Sequence, residues 1–329
     1  MSMRVLVLGA SGYLGGRLSR FLIQKGHSVC MHARNVSLLR EYFQDKPVTF
    51  LESDVTHPNF IEAVKSVEPE AIVNAVSLNH HRTGKDIHQT HHVNIAPTLE
   101  ILESLTKAHS SLRKYIYIST QQVYGKVEES QITENVLCKP SNLYGLTHFL
   151  CEQTVSHYCR QSDAACLSVR LSNGFGAPLF VQNDCWWSVI NDFCKSAFDS
   201  GTISIQSDGT PQRDFIHVDD FCRAIQIVLE TPKNHLRYDC YNVGSMVTNT
   251  IAEIAALVAE AYQAQYSRTA KLIDKQGASF KIVYSPQKSK FVYDISRMQD
   301  LGFKPQTSLF DGMREVFDFL DNKKTGRIV

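Results

Sequence analysis

The sequence carries almost no net charge: 34 lysines and arginines against 33 aspartates and glutamates leave +1 with histidine neutral. Such a balance offers no broad field for a nucleic-acid backbone or an anionic membrane surface. Long apolar runs are missing too, none approaching the roughly 18 residues that a membrane helix needs. Nine cysteines are scattered without a CxxC pair, and nine is an odd number. They read as reduced thiols, mostly small core residues, in a cytoplasmic protein. The chain reaches its first strand within a few residues, so a soluble protein without a cleaved leader is expected. Internal repeats and low-complexity linkers are absent, and a hydrophobic content of 43% supports a full core.

What is present begins with Val5-Leu-Val-Leu-Gly9-Ala-Ser-Gly12-Tyr-Leu-Gly15-Gly16. Four apolar residues read as a buried parallel strand. Gly9, Gly12 and Gly15 follow at intervals of three, and a helical run from Arg17 to Gln24 places Leu18, Phe21 and Leu22 on one face. Strand, glycine turn and helix set backbone N–H groups and a helix N-terminus against a pyrophosphate. Gly9 permits the tight turn, Gly12 admits the ligand to the backbone, and Gly15 lets helix and strand approach. Ser11, Tyr13 and Leu14 are the other candidate cofactor contacts of this turn.

His27–Arg34 reads as the second strand, ending where the ribose of an adenosine would sit. An acid there suits the NAD 2′-hydroxyl; here Ala33-Arg34 stands instead, and Arg34 suits the 2′-phosphate of NADP. The alternative is a solvated surface arginine. Phe50–Val55 reads as a third strand ending at Asp54 and Val55; Asp54 is either an adenine-edge contact or a helix cap. Ala71–Ser77 reads as a fourth strand whose small end, Ala75 and Val76, leaves cofactor room. Five histidines follow, His80, His81, His88, His91 and His92, without metal-ligand spacing. No metal site is expected. His80 and His81 are candidate substrate contacts at the site mouth, and a helix begins near Asp86 and carries Asn94, a further cofactor candidate.

Tyr115–Thr120 reads as a fifth strand, followed by Gln121-Gln122-Val-Tyr124-Gly125. Tyr144 and His148, four apart, share a face of the next helix. Strands alternating with helices imply an α/β doubly wound parallel sheet. The alternation loosens beyond Pro178, where a smaller α/β substrate-binding lobe is expected. The division expected is 1–173 plus 213–243 for the nucleotide domain and 174–212 plus 244–329 for the lobe. Trp186-Trp187 reads as core or as a stacking surface.

GASGYLGG at 9–16, STQQVYG at 119–125, YxxxH at 144–148, RLSNGFGAP at 170–178, QRDFIHVDD at 212–220, YNVG at 241–244 and LGFKP at 301–305 together resemble the extended short-chain dehydrogenase/reductases. The branch is that of nucleotide-sugar epimerases, dehydratases and reductases, and the resemblance covers nearly the whole chain. It implies a Rossmann fold, an NAD(P) cofactor and a nucleotide-diphosphate sugar substrate. It makes Tyr144 the general acid/base and Thr120 the hydroxyl that orients the reacting oxygen. Arg213 is similar to the arginine that grips the diphosphate, and Asn173 and Gln121 are substrate candidates. It also implies a homodimer through the helices of 97–108 and 144–158.

Two departures carry information. The family's lysine four residues after the tyrosine is His148 here. Imidazole still bonds a ribose hydroxyl, but a mostly neutral partner suits a tyrosine that donates a proton better than one that abstracts it. Gln121-Gln122 replaces the Asp-Glu pair of the 4,6-dehydratases, and amides do not exchange protons usefully. The expectation is therefore an NADP(H)-dependent reductase of a nucleotide-linked 4-keto-(deoxy)sugar, with NAD possible. An NAD-dependent 4-epimerase ranks second, and a non-catalytic dinucleotide-binding partner protein third.

Overall fold

The computed structural model describes residues 2–106, 111–281 and 291–325. The chain starts as strict alternation: β1 (Arg4–Leu8), α1 (Tyr13–Gln24), β2 (Ser28–Ala33), α2 (Ser37–Tyr42), β3 (Thr49–Glu52), α3 (Phe60–Ser66) and β4 (Ala71–Asn74). Two helices follow, α4 (Ile87–Asn94) and α5 (Ala96–Leu105), then β5 (Lys114–Thr120), β6 (Gln131–Ile132), α6 (Leu143–Cys159), β7 (Ala165–Leu171) and β8 (Asn173–Phe175). The second half holds α7 (Val189–Ser200), β9 (Thr202–Ile205), β10 (Gln212–His217), α8 (Val218–Glu230), β11 (Cys240–Val243) and β12 (Thr248–Thr250). It closes with α9 (Ile251–Tyr266), β13 (Lys271–Asp274), β14 (Val292–Tyr293), α10 (Ser296–Gln299) and α11 (Leu309–Lys324).

Seven parallel strands form the main sheet in the order β11-β7-β5-β4-β1-β2-β3. The order reverses between β1 and β4, and in such sheets ligands bind beyond the strand ends at that crevice. Both faces are covered, as an all-parallel sheet requires. Val5 and Val7 pack with Leu18 and Leu22 of α1 and Phe221 and Ile225 of α8. Leu6 and Leu8, pointing the other way, pack with Phe60, Ile101 and Val155. A separate core joins α7, α9 and α11 through Phe193, Val258, Phe317 and their neighbours.

Strand ends differ from the sequence expectation for local reasons. β4 stops at Asn74 because its amide turns inward, donating to Thr98 and Tyr115 while accepting from the Val76 N–H. β3 stops at Glu52, and Asp54 lies in a turn, accepting from the N–H and hydroxyl of Thr56. The helix cap weighed for Asp54 does not form; α3 starts six residues later, after Asn59. Asp86 does cap its helix, taking the N–H groups of His88 and Gln89. β10 pairs with β8 and β12 in a three-stranded sheet, while β11 returns to the main sheet. Tyr293, Ile295, Met298 and Phe303, expected in the lobe, pack into the core of the main sheet.

A buried ion pair ties α6 to the sheet. The Arg170 guanidinium meets the Glu152 carboxylate at 2.8 Å, with both side chains less than a tenth exposed. Ser119 also donates to Glu152, and Arg170 donates to Tyr124 Oη and the Glu134 carbonyl. Replacing Arg170 by Met strands that carboxylate in the interior. The expected cost is about 3–5 kcal/mol. Adding Glu152→Gln should recover part of it, and urea unfolding of the single and double variants measures both.

Candidate functional site

The glycine turn sits at the end of β1, beside the crevice between β1 and β4. Gly9 has φ +81°, a conformation open to glycine at no steric cost. A Cβ on Gly15 would lie 2.2 Å from the Gly9 carbonyl oxygen, so no side chain fits there. Gly12 N-caps α1 without any side-chain cap, and the first turn holds no acid. Uncapped N–H donors and the positive end of the helix dipole therefore meet at Gly12, an arrangement that suits a pyrophosphate. On these grounds the turn fits a dinucleotide.

Neighbours hold the turn in shape. Ala75 and Val76 back Gly9, with the Ala75 oxygen 3.2 Å from where its Cβ would be. Asn183 donates to the Ser11 carbonyl at 2.8 Å, and the Tyr13 hydroxyl donates to the Gly176 carbonyl at 2.9 Å. Leu14 is half-buried against the main core. His32, which the sequence reading passed over, accepts the Gly9 N–H through Nδ1 at 3.4 Å and reaches the Ser53 carbonyl with Nε2 at 2.9 Å. Burial holds its imidazole down at about 4. Arg34 is exposed beyond β2. Asp54 titrates low, chiefly through the Thr56 bond, with Arg34 among the charges that help. Val55 is buried below it.

Asn94 is buried at the end of α4. Its Oδ1 takes the Leu78 N–H at 2.8 Å, and its Nδ2 gives to the Thr147 hydroxyl at 3.2 Å, tying the loop after β4 to α6.

Across the crevice, α6 presents Tyr144 and His148. Asn142 starts the helix, its side chain accepting the Gly145 N–H at 2.8 Å. The two rings meet edge to face with centroids 4.5 Å apart. Burial alone pushes the Tyr144 phenol up to about 12 and holds the His148 imidazole down at about 4. At neutral pH both are uncharged. His148 has two partners that the sequence reading missed: Tyr117 Oη at 2.9 Å from Nδ1, and Ser77 Oγ at 3.3 Å from Nε2. The alternation of phenols at 115 and 117 in β5 was a usable signal, since it puts both on one face of the strand. Thr120 ends β5, and its oxygen accepts the Gln122 N–H, so its own proton can be given elsewhere.

The open side of Tyr144 is aromatic. His80 and His81 are exposed with ring centroids 3.7 Å apart, and His80 lies edge-on to Tyr144 at 6.5 Å and to Trp187 at 5.6 Å. Trp187 is 42% exposed, and Trp186 packs on the helical core of the lobe. Gln121 is half-buried beside Gln122, whose oxygen accepts from Asn142. Arg213 is exposed on β10. Asn173 lies in the neighbouring strand and donates to the Asp214 carbonyl at 2.7 Å. Among the described residues, no group of three or more His, Cys, Asp or Glu side chains is placed to hold a metal ion, and no helix is long and apolar enough to cross a membrane.

The buried histidines give stability a defined pH dependence. Imidazoles held near 4 when folded return to about 6.5 when unfolded, so the unfolded chain binds more protons between those values. This stability is complete above that upper value and falls as the pH drops towards the lower one. Each histidine should remove about 2 kcal/mol between neutral pH and about pH 5. Urea unfolding at both pH values should show a smaller loss in His148→Asn than in the wild type.

The chain is 24% identical over 324 residues to the low-salt glycan biosynthesis protein Agl12 of Haloferax volcanii, covering 96% of this chain and 98% of that protein. It is 22% identical to a putative UDP-glucose 4-epimerase of Methanocaldococcus jannaschii, covering 97% and 98%. The UDP-glucose 4-epimerase of Thermotoga maritima, solved with UDP-glucose, superposes with a TM-score of 0.80 at 21% identity, over 98% of this chain and all of that one. Residues 5–244 match the NAD dependent epimerase/dehydratase family, and the chain belongs to it.

Proposed function

We propose that the protein reduces a nucleotide-linked 4-keto sugar with NADPH. The observation that carries this reading is the edge-to-face pairing of Tyr144 with His148, an imidazole in place of a cation, where burial disfavours charge on both rings. A phenol kept protonated is a proton donor, and among the described residues no cation beside it favours the phenolate needed to start an oxidation. The bound cofactor would supply hydride to the carbonyl carbon. Tyr144 gives its proton to the carbonyl oxygen, Thr120 orients that oxygen with its hydroxyl, and the Tyr144 phenolate takes a proton back from solvent. His148 holds the ribose end in place of the family's lysine.

Several features support the ligands. Ala33-Arg34 offers no carboxylate to a 2′-hydroxyl and a guanidinium to a 2′-phosphate. Exposed Arg213 on β10 suits a nucleotide diphosphate, with Asn173, Gln121, His80 and His81 around the sugar. Relatives named for UDP-glucose support a nucleotide-sugar substrate. A second reading, an NAD-dependent 4-epimerase, is favoured by neighbours such as the UDP-glucuronic acid 4-epimerase of Bacillus cereus solved with NAD. All nine cysteines are free thiols, which suits a reducing compartment such as cytoplasm. Leu99 on α5, with Leu146 and Leu150 on α6, is largely exposed on adjoining helices and suits a homodimer. Leu146→Asp with Leu150→Asp should move the protein to monomer in sedimentation.

Purified protein should oxidise NADPH in the presence of a nucleotide-4-keto-hexose, and Tyr144→Phe should lower kcat by about 10²–10⁴. Tightly held NAD⁺, with UDP-sugars interconverted and no net redox turnover, would establish the epimerase instead.

A further inference from the structure

The group behind His148 follows no family motif and invites a proton count. Ser77 has one hydroxyl proton, and it goes to the Leu78 carbonyl at 2.9 Å. Towards His148, then, Ser77 Oγ is an acceptor, and the nitrogen that faces it, Nε2 at 3.3 Å, carries the ring proton. A neutral imidazole has only one such proton, so Nδ1 is bare and accepts. The donor at 2.9 Å is the hydroxyl of Tyr117. Tyr117 is buried, and its phenol titrates well above the ordinary value because of that burial. Each proton is thereby used once.

We infer that Tyr117 is a positioning residue: from β5 it fixes His148 as the Nε2–H tautomer, whose single N–H faces Ser77 Oγ and would be shared with, or passed to, a ribose oxygen. The inference rests on the proposed role of His148 as ribose partner. A lysine at this position would bring its own donors on a flexible stem and need no such support. An imidazole has one donor in the neutral state, and which nitrogen bears it is set by the bond at the other. Phe would fill nearly the same volume at position 117. The hydroxyl adds a buried polar group whose burial is tolerable only when bonded; it lies 2.9 Å from His148 Nδ1, with the Cys151 sulfur as its other neighbour. The other titratable groups around the imidazole are Tyr144 and Cys151 on the same helix, and Cys151 gives its thiol proton to the Asn94 carbonyl. Glu152 is engaged by Arg170 and Ser119.

Long-range ¹H–¹⁵N correlation of histidine-labelled protein at neutral pH tests this without substrate. His148 is identified by the signals lost in His148→Gln. The wild type should show the Nε2–H pattern, and Tyr117→Phe should shift it to a mixture or to Nδ1–H. In turnover, Tyr117→Phe should lower kcat by about tenfold or more, with KM for the nucleotide sugar within about twofold. A wild-type spectrum of Nδ1–H or imidazolium overturns the inference even if the variant does not fold. So does an unchanged spectrum in Tyr117→Phe, or a loss confined to KM. Absence of any nucleotide-sugar turnover in the wild type, with the Nε2–H pattern present, would count against the proposed reaction and leave the tautomer assignment standing.

Discussion

Two stretches of backbone meet where α1 folds back on the turn that precedes it, and the rest of the molecule is arranged around that approach. The Gly9 carbonyl occupies the space in which a side chain at 15 would begin. This closeness brings the uncapped start of α1 to the mouth of the sheet, beside the crevice between β1 and β4. The same turn serves as an attachment point for the segment that follows β8. Gly176 and Asn183 bond to Tyr13 and Ser11, so a rigid cradle and the wall opposite it are fixed by one another.

The site itself is governed by desolvation more than by charge. Tyr144, His148 and Tyr117 are all held uncharged by burial, and the nearest buried ion pair, Arg170 with Glu152, is closed on itself. A short donor chain with assigned directions replaces the ammonium that the family usually places beside its tyrosine. The imidazole gains in orientation what it lacks in electrostatic pull, and a site of this kind suits a proton given more than a proton taken.

Much of this was legible in the sequence because it is local. Three glycines at fixed spacing after an apolar run announce the turn, and alternating strands and helices announce the sheet. The departure at His148 was visible for the same reason, four residues from Tyr144 on one helix. What escaped depends on pairing across distance. Tyr117 and His148 are 31 residues apart, Gly9 and His32 are 23 apart, and no periodicity within either segment reports the other. The bonds of Asn94 to Leu78 and Thr147 were hidden for the same reason, since its backbone position says nothing of which way its amide turns. The place of β10 in a small sheet with β8 and β12 was likewise hidden, since a strand's own residues do not name its neighbours.

The helix that carries the glycine turn also carries Arg17, only 3% exposed. Its guanidinium meets Asp219 of α8 at 2.6 Å and Glu315 of α11 at 2.5 Å, and donates to the Ala177 carbonyl at 2.9 Å. Against the upward push of burial, His217 and Arg17 together hold the Glu315 carboxyl down at about 2. One of the two counter-ions for the first helix therefore arrives with the last. A fragment that stops short of residue 309 would lack one of the two carboxylates that neutralise Arg17.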